Sequence, residues 1–158
     1  GRGETEFDGF SSSSYDFDTT QAALKAGYIT RSGNRLQLSI GRIDIEDDAG
    51  VEQEFSGIDF DAKFPFGDRM AKPFLGAGFG IYTWEDTGAM FIDGEDLSGV
   101  ALNLSGGVLL ELHEQFDLEV GLQYKAIIWE SIRPIFSDEA IDVTTGLVQV
   151  MAGPNVRF

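Results

Sequence analysis

Strict two-residue alternation is the feature of this sequence that most limits what it can become. Phe116, Leu118, Val120, Leu122, Tyr124, Ala126 and Ile128 share one parity, and Asp117, Glu119, Gly121, Gln123 and Lys125 share the other. Successive side chains of a strand point to opposite faces, so such a stretch has one face for an apolar medium and one bearing both signs of charge. In a water-soluble sheet the charged face is outside. In a membrane barrel the apolar face meets lipid and the charges line the lumen.

Composition narrows the choice. A chain of 158 residues is about one domain's worth, and we expect a single domain over 1–158. It holds no cysteine, which removes disulfides, thiolate metal sites and thiol nucleophiles. With 11 basic and 27 acidic residues the net charge is −16, the wrong sign for a nucleic-acid partner. No run of about eighteen apolar residues exists, so no transmembrane helix is expected. Barrel strands escape that criterion, because only every second residue must be apolar.

Period-two patterning predicts eight strands, at 4–12, 19–30, 35–45, 54–65, 73–84, 98–112, 116–130 and 142–158. Short connections at 31–34, 66–72 and 113–115 alternate with longer ones at 13–18, 46–53, 85–97 and 131–141. An even number of strands, tight turns at one end and long loops at the other describe an all-β, eight-stranded, antiparallel up-and-down transmembrane barrel. Both termini would then lie at the short-turn end.

The faces are consistent from strand to strand. Leu24, Ala26 and Tyr28, then Ile58, Phe60 and Phe64, then Leu75, Phe79 and Ile81, then Val100, Leu102 and Leu104 are expected to face lipid. The opposite face collects Lys25, Asp59, Asp61, Lys63, Glu111, Glu119 and Lys125, an expected charge network inside the lumen. Eight strands leave an interior that side chains fill, so a plugged lumen is expected rather than a pore. The alternating glycines Gly76, Gly78 and Gly80 would clear one inner wall for long charged side chains. Aromatic residues near strand ends suggest two interfacial girdles. One holds Tyr28, Phe64, Phe66, Phe74, Phe116 and Phe158, the other Phe55, Tyr82, Trp84 and Trp129. In the third strand the phase reverses at Gly41-Arg42, where a bulge, the preferred reading, would turn Ile43 and Ile45 outward; without one, Arg42 sits near the outer rim, within reach of lipid phosphates.

The segments Pro73–Tyr82, Gly99–Leu112 and Phe116–Trp129 resemble the central hairpins of the small eight-stranded outer-membrane barrels, the family of the OmpA transmembrane domain, OmpX and the Opa adhesins. Gly153, Val156 and Phe158 match the spacing of that family's C-terminal assembly signal, with Met151 where a polar residue is usual. The resemblance implies a bacterial outer-membrane location, contact with membrane lipid and lipopolysaccharide, and insertion by the barrel-assembly machinery. It also implies a structural or adhesive role. A narrow channel and a soluble lipocalin-like ligand carrier are the alternatives.

Catalytic signals are weak. His113 is the one histidine and sits in a tight turn, and neither Ser131 nor Ser137 has a histidine beside it. The glycines at 76–80 lack G-x-G-x-x-G spacing. Asp86, Asp93, Glu95 and Asp96 lack the spacing of a calcium-binding hand. No enzyme activity, cofactor or metal is therefore expected. Apolar residues within two long loops, Met90, Phe91 and Ile92 in one and Ile135 and Phe136 in the other, either offer a contact surface for a protein partner or pack on one another over the barrel mouth.

Overall fold

The alternating stretches pair with their sequence neighbours in a closed ring. In the computed structural model, residues 1–8, 13–47, 52–67, 70–85, 96–113, 115–130 and 142–156 are described. The strands are β1 (Arg2–Asp8), β2 (Ser13–Ile29), β3 (Arg35–Asp47), β4 (Glu52–Pro65), β5 (Ala71–Trp84), β6 (Leu97–His113), β7 (Phe116–Trp129) and β8 (Asp142–Val156). Each is antiparallel to the next, and β1 pairs with β8 to close the barrel. Hairpin connections make this the simplest way for eight strands to lose their free edges.

Two tight turns use the residue that such geometry needs. Gly33 and Gly67 adopt φ values of 85° and 81°, a left-handed conformation open to glycine at little cost. The Gly33 amide donates to the Thr30 carbonyl, and the Thr30 amide to that of Asn34, closing the β2–β3 connection.

The parity of each strand separates two environments. Leu24, Leu38, Ile58, Leu75, Ile81, Leu104, Leu122 and Val150 all point outward and are exposed, Leu24 to 82% and Val150 to 74%. Asp59, Asp61, Lys63, Asn103, Asp117, Glu119, Gln123 and Lys125 point inward and are buried. This is a protein turned inside out relative to a soluble barrel, which argues against a lipocalin-like carrier.

Three expectations are corrected. The ladders on both sides of Gly41 run without a register shift, Gly41 facing Ala23 on β2 and Gly57 on β4. No bulge exists there. Ile43 and Ile45 are buried inside, and Arg42 is the outward residue. Arg42 Nε donates to Asp44 at 2.6 Å and Nη1 lies 2.9 Å from Glu54, which gives the exposed guanidinium two carboxylates at the barrel's outer rim. Secondly, Phe55, Tyr82, Trp84 and Trp129 form no girdle at the loop end. All four are buried in the lumen, and so is Phe74 at the other end. Tyr28, Phe64 and Phe66 are exposed at the short-turn end, and Phe158 lies outside the described residues.

Thirdly, the first two long connections are shorter than expected. β1, β2, β3 and β4 run past the apolar belt as polar ribbons, leaving 9–12 and 48–51 between strands. The stretches 85–96 and 130–141 remain the long ones. The ribbons carry much of the negative charge: Glu4, Glu6, Asp16, Asp18, Glu46 and Glu52 are exposed beyond the belt.

Candidate functional site

Three layers of inward side chains succeed one another along the lumen, and each follows from which inward residues the register sets side by side. Nearest the loops the inward residues are apolar. Phe17, Ile43, Ile45, Phe55, Trp84, Ala101, Ile127, Trp129, Val143 and Leu147 form one cluster. Its centre is aromatic. The Phe55 ring centroid lies 4.9 Å from that of Trp84 and 4.8 Å from that of Trp129, and the two indoles are 5.4 Å apart. Tilted and edge-on contacts at these separations are favourable ones. The Trp129 indole donates to Thr145 Oγ1 at 2.8 Å, and Thr145 in turn bonds the Thr5 hydroxyl, so the polar edge of the plug is satisfied. At this level the lumen is filled by side chains.

The middle layer is ionic. Asp59 of β4 receives Lys125 Nζ at 2.8 Å, the Tyr82 hydroxyl at 2.6 Å and Asn103 Nδ2 at 2.9 Å. Lys125 also donates to Tyr82 Oη and stands 4.2 Å from the centre of its ring. Asn103 Nδ2 reaches Asp61 as well, at 3.3 Å. Four strands, β4 to β7, thus converge on one carboxylate. A buried charge needs a partner and hydrogen bonds, and Asp59 has both.

The third layer lies towards the short turns. Lys63 pairs with Glu119, while Lys25 is 3.8 Å from the same carboxylate and one-third exposed. Arg35 clamps Asp117 with two parallel bonds of 3.0 and 2.8 Å, and Asn155 Nδ2 adds a third at 2.7 Å. Paired donors in this geometry make the strong form of an ion pair.

The glycines of β5 explain how β4 holds three charged side chains in a row. Asp59, Asp61 and Lys63 face Gly80, Gly78 and Gly76 across the ladder. A Cβ on Gly78 would stand 2.5 Å from the Phe60 carbonyl oxygen and closer still to Asp61 Oδ1. The wall therefore makes room for the neighbouring strand's charges.

Of the residues singled out in the sequence, Asp59, Asp61, Lys63, Glu119, Lys125 and Lys25 come together inside. Glu111 is only half-buried. It sits at the lumen mouth, where Lys72 Nζ is 2.9 Å away. Glu111 faces Asp117 across the β6–β7 ladder, and the register shifts only beyond it, between Glu111 and His113. Gly153 and Val156 lie on β8 at the short-turn end. Met90, Phe91, Ile92, Ile135 and Phe136 are outside the described residues. Sequence reasoning missed Arg35, Tyr82 and Asn155 as partners. Arg35 shares its parity with Gln37 and Ser39, so strand phase alone would have placed it inside. Among the described residues no cluster of three or more histidine or carboxylate side chains could hold a metal ion.

Beneath the plug the lumen opens into a cavity of about 1070 Å³ whose lining includes Lys25, Arg35, Gln37, Asp61, Glu119 and Gln149. It reaches the outer surface between β2 and β8, past Leu24, Tyr28 and Val150.

A closed ring of eight antiparallel strands, apolar outside and charged inside, defines the architecture of a small membrane barrel. The chain is similar in fold to the crystal structure of Neisserial surface protein A, with a TM-score of 0.57 over 99% of this chain and 93% of that one, at 17% identity. No family model and no curated protein matches the sequence.

Proposed function

We propose that the chain is a bacterial outer-membrane surface protein whose work is done by its loop end, in a structural or adhesive role. The observation that carries this is the aromatic plug of Phe55, Trp84 and Trp129, which fills the lumen just where the acidic ribbons emerge. A barrel filled at that level has its useful surface outside, and this favours display over conduction. The fold shared with a Neisserial surface protein is consistent with that setting. The outward apolar belt would face membrane lipid, with lipopolysaccharide around the ribbons. The two long connections, with Met90, Phe91, Ile92, Ile135 and Phe136, would meet a protein partner.

Topology tests this reading directly, because the chain has no cysteine of its own. Glu85→Cys and Glu130→Cys lie at the loop end, and Ser32→Cys in the β2–β3 turn. On intact cells a membrane-impermeant maleimide should label the first two and leave the third until the outer membrane is opened. Labelling of Ser32→Cys alone would put the loops on the wrong side and overturn the proposal.

Insertion by the barrel-assembly machinery would use Gly153, Val156 and Phe158. Deleting Phe158 should lower the yield of folded barrel in cells and leave refolding in detergent nearly normal. Equal losses in both settings would count against an assembly signal.

A further inference from the structure

The ring is complete at the loop end and incomplete below it. β1 pairs with Ser13–Asp18 of β2 and Asp142–Val148 of β8. Among the described residues, β2 is paired on its β3 side alone from Thr20 to Ile29, and β8 on its β7 side alone from Gln149 to Val156. Two columns of backbone N–H and C=O groups therefore face one another across a seam. The outward residues flanking it are Ala22, Leu24, Ala26 and Tyr28 on one side and Val150, Ala152 and Val156 on the other. The seam thus lies at the height of the apolar belt. Open backbone in hydrocarbon costs several kcal/mol per group, which is why membrane sheets close.

The inner side of the seam is also unfinished. The side-chain amide oxygens of Gln37 and Gln149 (Oε1 in both) are buried without a partner. Gly153 leaves the wall bare: a Cβ there would meet nothing within 4 Å.

We infer that one extended segment, continuous with β1 on its N-terminal side, fills this seam and completes the barrel through the membrane. Two unpaired columns and a break in the apolar belt carry the inference. β1 already holds β2 and β8 one strand apart, so a single strand fits. Its ladder also points into the seam: the Gly1 amine donates to the Thr19 carbonyl, and the Thr19 amide to that of Gly1.

The register follows from Arg2 facing Asp18 and Val148. Each step back along the strand advances one residue on both neighbours. The first residue ahead of Gly1 faces Thr20 and Val150, the third Ala22 and Ala152, the fifth Leu24 and Pro154, the seventh Ala26 and Val156, and the ninth Tyr28. These five point to lipid and are apolar. The even positions point inward and are polar or small. The sixth, beside Lys25 and Asn155, carries a carboxylate or another acceptor for the Lys25 ammonium, whose present contact with Glu119 is 3.8 Å.

Two arms test this, both read by amide hydrogen exchange in detergent micelles at 20–29 and 149–156. In the first, the chain from Gly1 is compared with two ten-residue N-terminal extensions of identical composition. One is written in the stated phase with glutamate at the sixth position, the other is shifted by one residue. The in-phase extension should slow exchange in both columns at least about 100-fold, and the shifted one should not. Equal protection by both, protection by neither, or full protection of the chain from Gly1 alone would overturn the proposal. In the second arm, protein taken from its own membrane should show both columns protected, with eight to ten or so residues ahead of Gly1, the length that spans the seam. Protection without them would place another molecule's strand in the seam and would likewise overturn it. Failure of the membrane reading would appear separately, as solubility without detergent.

Discussion

Replacing Lys125 by methionine should cost the barrel about 3 kcal/mol, the lower end of what losing one partner of a buried ion pair costs. Lys125 is fully buried and bonds Asp59 at 2.8 Å. Methionine matches its length and fills its space, so the change removes charge with little loss of packing. Asp59 is then left with two neutral donors, Tyr82 Oη and Asn103 Nδ2, which offset part of the loss and set the estimate low. Adding Asp59→Asn removes the stranded charge, and the double variant should recover more than half of the stability. That non-additivity is the signature of direct coupling. Urea unfolding in lipid vesicles gives all four values. A neutral Lys125→Met would mean that the ammonium is solvated, and the packed-lumen account would fail with it.

Phe55→Ala is the other large effect, about 3–5 kcal/mol for deleting a buried aromatic ring. Phe55 is fully buried, on β4, and its ring touches both indoles of the plug, which come from β5 and β7. Water entering the gap would meet Ile43 and Ile127, whose side chains offer no hydrogen bonds. The same unfolding assay reads the loss. In planar bilayers the unaltered protein should give no discrete conductance steps. A change below about 1 kcal/mol for Phe55→Ala, or stable steps from the unaltered protein, would show that the plug is not closed.

The sequence was most legible where polarity changed at every residue. β7 and β4 alternate without exception through the belt, and their lipid-facing and lumen-facing sets were both readable from parity. Legibility failed where the lumen itself is apolar. Ile43 and Ile45 look like lipid-facing residues, and only a bulge at Gly41 would turn them outward. In fact the phase never breaks, and the medium on the inner side changes instead. The same mistake moved Phe55, Tyr82, Trp84 and Trp129 to a girdle. Tyr82 and Trp84 are out of phase with Phe79 and Ile81, and that parity already placed them inside. Aromatic residues near strand ends are a composition signal, and strict phase outranks it. Ionic partners were illegible for a different reason. Phase gives the face, but only register tells that Lys125 meets Asp59 and not Asp61. Glu111 has the right parity for the lumen and faces Asp117 across the ladder, and only the register tells that Lys72 of β5 is its partner.

The central claim is that the outward belt faces hydrocarbon, and refolding decides it most directly. Diluted from urea into lipid vesicles or detergent, the protein should fold to a form that migrates differently in unboiled and boiled gel samples. In plain buffer it should aggregate, because Leu24, Leu75, Ile81, Leu104 and Val150 would stand exposed to water. A monodisperse, folded monomer in detergent-free buffer would contradict the account.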